Sequence, residues 1–219
     1  MCYHVGAMPR RQEGGRYHHG NLRAALIQTA IELIGERGLR EFSLAEASRR
    51  LGVAVSAPYA HFSDRDTLLV AVAVHAHEQL YAELERAAAP YQQPADRLAA
   101  MTHTYVCFAA AHRPLFEVLY GSGLDKRLHP ELEAAERPLM DAFLSCVRAL
   151  SENGDVLADD LLATALEATA LGHAVLLLDG AVGQGGAAVE QAAERAARAV
   201  LALIEGRHLL GRPSVPPAP

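Results

Sequence analysis

Ser43-Leu-Ala-Glu-Ala-Ser-Arg-Arg-Leu-Gly-Val-Ala-Val-Ser-Ala-Pro-Tyr-Ala-His-Phe-Ser-Asp-Arg65 is the stretch that decides the fold. Ser43 and Glu46 have capping-box spacing, so the serine oxygen can accept an early backbone N–H and the glutamate can reach back. Leu44, Ala47 and Leu51 then share one face of a short helix. Gly52 ends that helix cheaply, because glycine adopts the left-handed conformation without a Cβ penalty. Val53 is expected as a buried plug. A second helix of barely two turns should start near Val55 or Ser56, with Ser56 as cap and Pro58 inside the first turn, and should reach Phe62. Ser63 with Asp66 should cap the helix that follows. Two short helices around a glycine turn make a helix-turn-helix.

From Leu22 to Leu69 the chain resembles the DNA-binding domain of the TetR family of bacterial transcriptional regulators. Ala30, Gly38, Ser43, Ala47, Gly52, Val53, Tyr59, His61, Phe62, Arg65, Leu68 and Leu69 carry the likeness. Tyr59-x-His61-Phe62 followed by a basic residue is its most distinctive part. The chain departs from the common pattern at Val55, where a basic residue is frequent, and at Pro58, where an aliphatic is usual. The resemblance implies an all-α protein: an N-terminal three-helix helix-turn-helix DNA-binding domain, then a C-terminal helical ligand-binding and dimerisation domain.

Composition agrees. Of 219 residues, 51% are apolar, enough for a substantial core. Alanine, leucine, glutamate and arginine dominate, which suits helices. No unbroken apolar run approaches about 18 residues, so no membrane span is expected. The N-terminus lacks the apolar segment of a signal peptide, and a cytoplasmic location is expected. Cys2, Cys107 and Cys146 form no zinc framework. The net charge of −6 hides an asymmetry: residues 1–69 hold nine arginines against seven acids, a net of +2, which leaves −8 for the rest. A mildly basic head on an acidic body is what a DNA reader with a separate regulatory part should show.

In order, residues 1–19 read as a flexible basic arm whose Arg10, Arg11 and Arg16 could reach phosphates or a minor groove. Residues 20–66 form the head, with a first helix over 20–37 striped by Leu22, Leu26, Ala30 and Leu33. Residues 67–94 are a long connecting helix, inward at Leu68, Leu69, Val72, Ala76, Leu80 and Leu84, and a linker between Pro90 and Pro94. Residues 95–207 are the regulatory and dimerisation body. Its helix over 130–151 should kink or split at Pro138. Asn153-Gly154 is a stop. Two final helices, about 157–180 and 187–206, carry apolar stripes with small residues: Leu162, Leu166, Thr169, Gly172, His173 and Leu176 in the first, and Ala192, Ala193, Ala196, Val200, Leu203 and Ile204 in the second. Residues 208–219 are a disordered tail. His18-His19 is too small a metal cluster, the glycines at 183–186 lack the strand and lysine of a phosphate loop, and Gly121-Ser122-Gly123 is no nucleophile elbow. No catalytic constellation, cofactor or metal site is expected, and the chain is not read as an enzyme.

Tyr59 and His61 should touch phosphates, with Arg65 adding charge beside helix-terminal N–H groups. Val55, Ser56, Ala57 and Ala60 should meet base edges, offering methyl contacts and one hydroxyl. Ser43, Arg49 and Arg50 complete the DNA-facing set. The family resemblance implies a homodimer on double-stranded DNA, with a near-palindromic operator and the last two helices forming a four-helix bundle. It also implies a repressor released by a small-molecule effector. An apolar pocket is expected from Met101, Tyr105, Phe108, Phe116 and Tyr120, together with Met140, Phe143, His173 and Leu177. The alternative is a helical small-molecule-binding or interaction protein without operator binding.

Overall fold

A computed structural model describes residues 22–151 and 156–209. Among the described residues eight α-helices carry the fold: α1 (Leu22–Arg37), α2 (Leu44–Leu51), α3 (Arg65–Ala88), α4 (Pro94–Ala111), α5 (Arg113–Gly121), α6 (Pro130–Ala149), α7 (Val156–Leu178) and α8 (Gly186–Glu205). Two 3₁₀ turns, Ala57–Ala60 and Arg207–Leu209, complete it, and no strand occurs among the described residues. The basic arm, the Asn153-Gly154 stop and most of the C-terminal tail lie outside the described residues.

The chain divides into two compact units, residues 1–78 with 112–135, and residues 79–111 with 136–219. The first joins α1, α2, the Ala57–Ala60 turn, the start of α3 and α5. Leu26, Ala30, Leu33 and Ile34 of α1, Leu44 and Ala47 of α2, Phe62, and Leu68 and Leu69 of α3 are all buried, and α1 packs on α2 and on the Ala57–Ala60 turn. Burying a side chain the size of Phe62 is worth about 2–3 kcal/mol. Helix α5 also belongs here: Glu117 Oε1 accepts the Leu39 backbone N–H at 3.3 Å, and Pro114 lies against Gly35 of α1. The sequence-derived boundaries, which ended the head at residue 66, did not group α5 with it.

In the second unit α4, α7 and α8 pack on one another. One cluster joins Leu98, Val147, Leu162, Leu166, Val200 and Ile204; another joins Val106 and Leu177 to Ala188, Ala192, Ala193 and Ala196. The alanines set α8 close to its neighbours, since a helix without bulky side chains permits a short interaxial distance.

Three details of the helices follow. Of the kink or split expected at Pro138, the split does not occur: helix α6 is one element with Pro138 inside it. Pro138 and Ala134, whose carbonyl loses its N–H partner, are both exposed, so water can take that bond. The buried stripe of α7 is Leu162, Ala163, Leu166, Ala174 and Leu177; Thr169, Gly172 and His173 are half-buried and Leu176 is 47% exposed. Finally, α7 contains an 18-residue window of mean hydropathy 1.7 that is only 28% buried, long and apolar enough by composition to cross a membrane. Glu167 and His173 interrupt it, which is why no unbroken run showed in the sequence.

Candidate nucleic-acid interface

Helix α2 is fixed at both ends. Ser43 Oγ accepts the Glu46 N–H at 3.3 Å, as its spacing implied. The other half of the capping box does not form: the Glu46 carboxylate turns to Arg49 and to Arg37 at 3.3 Å. At the far end Gly52 takes φ 68°, its N–H donates to Arg49 O at 3.2 Å and Val53 N–H donates to Ser48 O at 3.1 Å. That pair of bonds is a Schellman stop. Val53 is half-buried, so it is not the plug expected of it. The Ser48 hydroxyl, fully buried, donates to Leu44 O.

The next segment is tighter than the two-turn α-helix expected. Ala57 N–H donates to Ala54 O, Tyr59 N–H to Ser56 O and His61 N–H to Pro58 O, all i to i−3; the Phe62 N–H closes an i−4 bond on Pro58 O. Pro58 explains this. It has no N–H to give Ala54 O, which is left to accept from Ala57 instead. Pro58 does sit in the first turn, as required, but Ser56 lies in the helical region and makes no side-chain cap bond. Phe62 anchors the turn from below at 2% exposure.

This anchored turn holds its other side chains in solvent. Tyr59 is 55% and Val55 52% exposed. Ser56, Ala60 and His61 are exposed and Ala57 half-buried. Val55, Ser56, Tyr59, Ala60 and His61 are thus all open to solvent.

The arginines around it are already engaged. Arg50 forks onto both Glu36 oxygens, with Nη1 donating at 2.7 Å, and Arg49 pairs with Glu46. The Arg50 and Arg49 guanidiniums pull the Glu36 and Glu46 carboxyls respectively below the ordinary glutamate range. These pairs are exposed, and such pairs are weak, so the arginines can be redirected to phosphate at small cost.

Arg65 does another job. Its Nε donates to Phe42 O at 3.1 Å, Nη2 donates to Leu39 O at 2.6 Å, and the guanidinium lies over the Phe42 ring. It ties the loop after α1 to the start of α3. The α3 N-terminus is capped by Asp64, not by Ser63 with Asp66: Asp64 Oδ1 accepts the Thr67 N–H at 2.7 Å and the Thr67 hydroxyl at 2.8 Å. Those bonds, first the Thr67 N–H, hold the Asp64 carboxyl below its usual range. The terminus thus carries its own anion where a phosphate contact was expected. One side chain that no sequence motif singled out is Arg23, exposed on α1 with its guanidinium 5.4 Å from the Phe62 ring centroid. A cation stacked beside the exposed turn adds charge that no local spacing could reveal, because the contact joins residues far apart in sequence.

The nine expected pocket residues are divided between the two units. Phe116 and Tyr120 stack at 4.7 Å between centroids in the first unit, with Tyr120 52% exposed. Met101, Phe108 and Leu177 are buried in the second unit, where Tyr105, Met140 and Phe143 are half-buried. His173, whose Nδ1 lies 2.8 Å from Thr169 O, faces an open apolar groove instead, shared with Gly172 and Leu176 of α7 and Ala199, Ala202 and Leu203 of α8.

Known proteins place this architecture. The model for bacterial regulatory proteins of the tetR family matches residues 26–72, and that for the tetracyclin repressor-like C-terminal domain matches residues 98–200. No curated protein matches the chain. Among solved structures, a protein with unknown function from a Rhodococcus species is 29% identical with a TM-score of 0.71, over 85% of this chain and 96% of that one. The TetR family transcriptional regulator PfmR from Thermus thermophilus is 19% identical with a TM-score of 0.60, over 82% and 96%. The transcriptional regulator FadR from Bacillus subtilis, in complex with stearoyl-CoA, is 17% identical with a TM-score of 0.63, over 83% and 96%. With one family model on the helix-turn-helix and the other on the helical body, the chain belongs to the TetR family of bacterial transcriptional regulators and is a ligand-responsive, DNA-binding protein.

Proposed function

We propose that the protein is a homodimeric repressor that binds a near-palindromic operator and leaves it when a small apolar molecule enters the body. The observation that carries this reading is the solvent face of the Ala57–Ala60 turn. Tyr59 is 55% exposed on a segment anchored by buried Phe62, and no packing need accounts for a tyrosine there. A phenol so placed donates to a phosphate oxygen, with His61 beside it, and these contacts set register. Val55, Ser56 and Ala60 offer methyls and one hydroxyl to base edges. Direct readout is therefore modest, and Arg49, Arg50 and Arg23 supply much of the affinity as phosphate contacts, after the first two let go of Glu46 and Glu36.

Two heads about 34–36 Å apart would match successive major grooves on one side of a duplex. The exposed apolar side of α7 supports a second copy as the partner that sets this spacing. FadR, similar in fold, holds stearoyl-CoA; an apolar effector for this chain would draw on the Met101, Phe108 and Phe143 region of the second unit. Differential affinity for two body shapes then moves the heads off the operator.

The test is fluorescence anisotropy with the DNA flanking the protein's own gene. Binding that resists nonspecific competitor and weakens steeply with salt supports the reading. Binding no tighter than to random duplex overturns it.

A further inference from the structure

In the second unit, α4 and α8 bring a thiol, an imidazole and a carboxylate into a row. Cys107 Sγ lies 3.8 Å from His103 Nδ1, one turn back on α4. His103 Nε2 lies 3.5 Å from Glu190 Oε1 on α8. We propose that Cys107 is a covalent modification site for soft electrophiles of the α,β-unsaturated carbonyl class, with His103 as the base that takes the thiol proton and Glu190 as the group that positions the ring.

The order of the three groups carries the proposal. A nucleophile, a base within reach of it, and a carboxylate on the far side of the base form the arrangement that makes thiols reactive. A proton on Nε2, 3.5 Å from the Glu190 carboxylate, leaves the Nδ1 lone pair to Sγ, and that is the tautomer a base needs. The exposures suit the task as well. Cys107 and His103 are half-buried, so a small molecule can reach them, while Cys146 is buried among Leu98, Val147 and Leu162. A metal does not explain the trio, because among the described residues no group of three His, Cys, Asp or Glu side chains could hold one. Cys107 also packs against the Val106, Leu177, Ala188 and Ala192 cluster, so an adduct there must be accommodated where α4 meets the alanine face of α8.

The step needs no oxidant. The Sγ–H proton passes to Nδ1, and Sγ forms a bond to the β-carbon of the acceptor. The C=C electron pair moves to the carbonyl as an enolate, which takes the proton back at its α-carbon. The net change is addition of S–H across the double bond.

The experiment is limited labelling of the full chain with N-ethylmaleimide, followed by peptide mass spectrometry that resolves each cysteine. Cys107 should react at neutral pH about tenfold or more faster than glutathione, with Cys146 unlabelled. His103→Gln should remove that advantage and return the rate to the steep pH dependence of a plain thiol, with the far-UV circular dichroism unchanged. Glu190→Gln should lower it by a smaller factor, and Glu190→Asp should restore part of it. A Cys107 rate no greater than that of glutathione, or a His103→Gln protein that keeps the wild-type rate and pH profile, overturns the assignment.

Discussion

Tyr59 and Arg65 look alike in sequence, two polar residues flanking Phe62 that could each meet a phosphate, and the structure gives them different work. Tyr59 has its phenol in water, so Tyr59→Phe should leave folding alone and remove one hydrogen bond to a charged acceptor, about 1.5 kcal/mol or roughly tenfold in affinity. The slope of log affinity against log salt should not change, because the phenol displaces no counterion; anisotropy titrations at several salt concentrations measure both. Arg65 instead bridges Leu39 O and Phe42 O. Arg65→Ala should cost about 1–2 kcal/mol of stability in urea unfolding, and Arg65→Lys should not restore it, since an ammonium cannot reproduce the planar fork. A stable Arg65→Ala protein with a salt slope lower by about one would return Arg65 to the phosphate-contact role. Asp64 makes a pH prediction. Its carboxyl is depressed in the folded state below the ordinary 3.8, so its contribution is full above about pH 4 and fades as pH falls through the lower folded value. Asp64→Asn should therefore be less stable than wild type at neutral pH, and the gap should close on acidification below about pH 4, read as thermal midpoints across pH.

Helix by helix, what could be read in the sequence was what depends on neighbours along the chain. The Ser43 cap, the Gly52 stop, the inward stripe of α3 and the bounds of α8 all follow from local spacing, and the structure has them. The tightening at Ala57–Ala60 was also local, since Pro58 was in view, but its effect on the Ala54 carbonyl was not drawn from it. Contacts across the chain were illegible: Arg65 to the Leu39–Phe42 loop, Arg23 over Phe62, and α5 against α1 all join residues at least 23 positions apart. The last of these has a direct test. Gly35 sits inside α1, where alanine would ordinarily stabilise a helix by about 1 kcal/mol. A Cβ there would lie 3.0 Å from Pro114 Cγ, part of a stiff ring. Gly35→Ala alone should not raise the melting temperature. In the presence of Pro114→Ala, which clears the space, it should, and that non-additivity is the signature of contact between the two helices.

At the scale of the whole molecule, the question is what covers α7. Its buried residues lie on one side, and Leu161, Val175 and Leu176 are 41–47% exposed. The groove of Thr169, Gly172, His173 and Leu176 beside Ala199, Ala202 and Leu203 adds small side chains to that apolar surface. The sequence showed both final stripes as apolar with small residues but could not divide them between core and interface, because one helical period serves either purpose. Gly172 allows the division to be tested. A Cβ added there meets nothing within 4 Å, so the protomer has room for a side chain, and replacing a mid-helix glycine favours the helix by up to about 1 kcal/mol. Gly172→Leu should therefore keep or raise the thermal stability of the protomer. If a second copy packs on this face, the same leucine holds the two α7 helices apart, and a close helix pair tolerates no such spacer. Light scattering should then report a dimer for wild type and a monomer for Gly172→Leu at micromolar concentration, with operator affinity falling as the second head is lost. A Gly172→Leu protein that remains dimeric would place the interface on another surface and leave the exposed side of α7 without a partner.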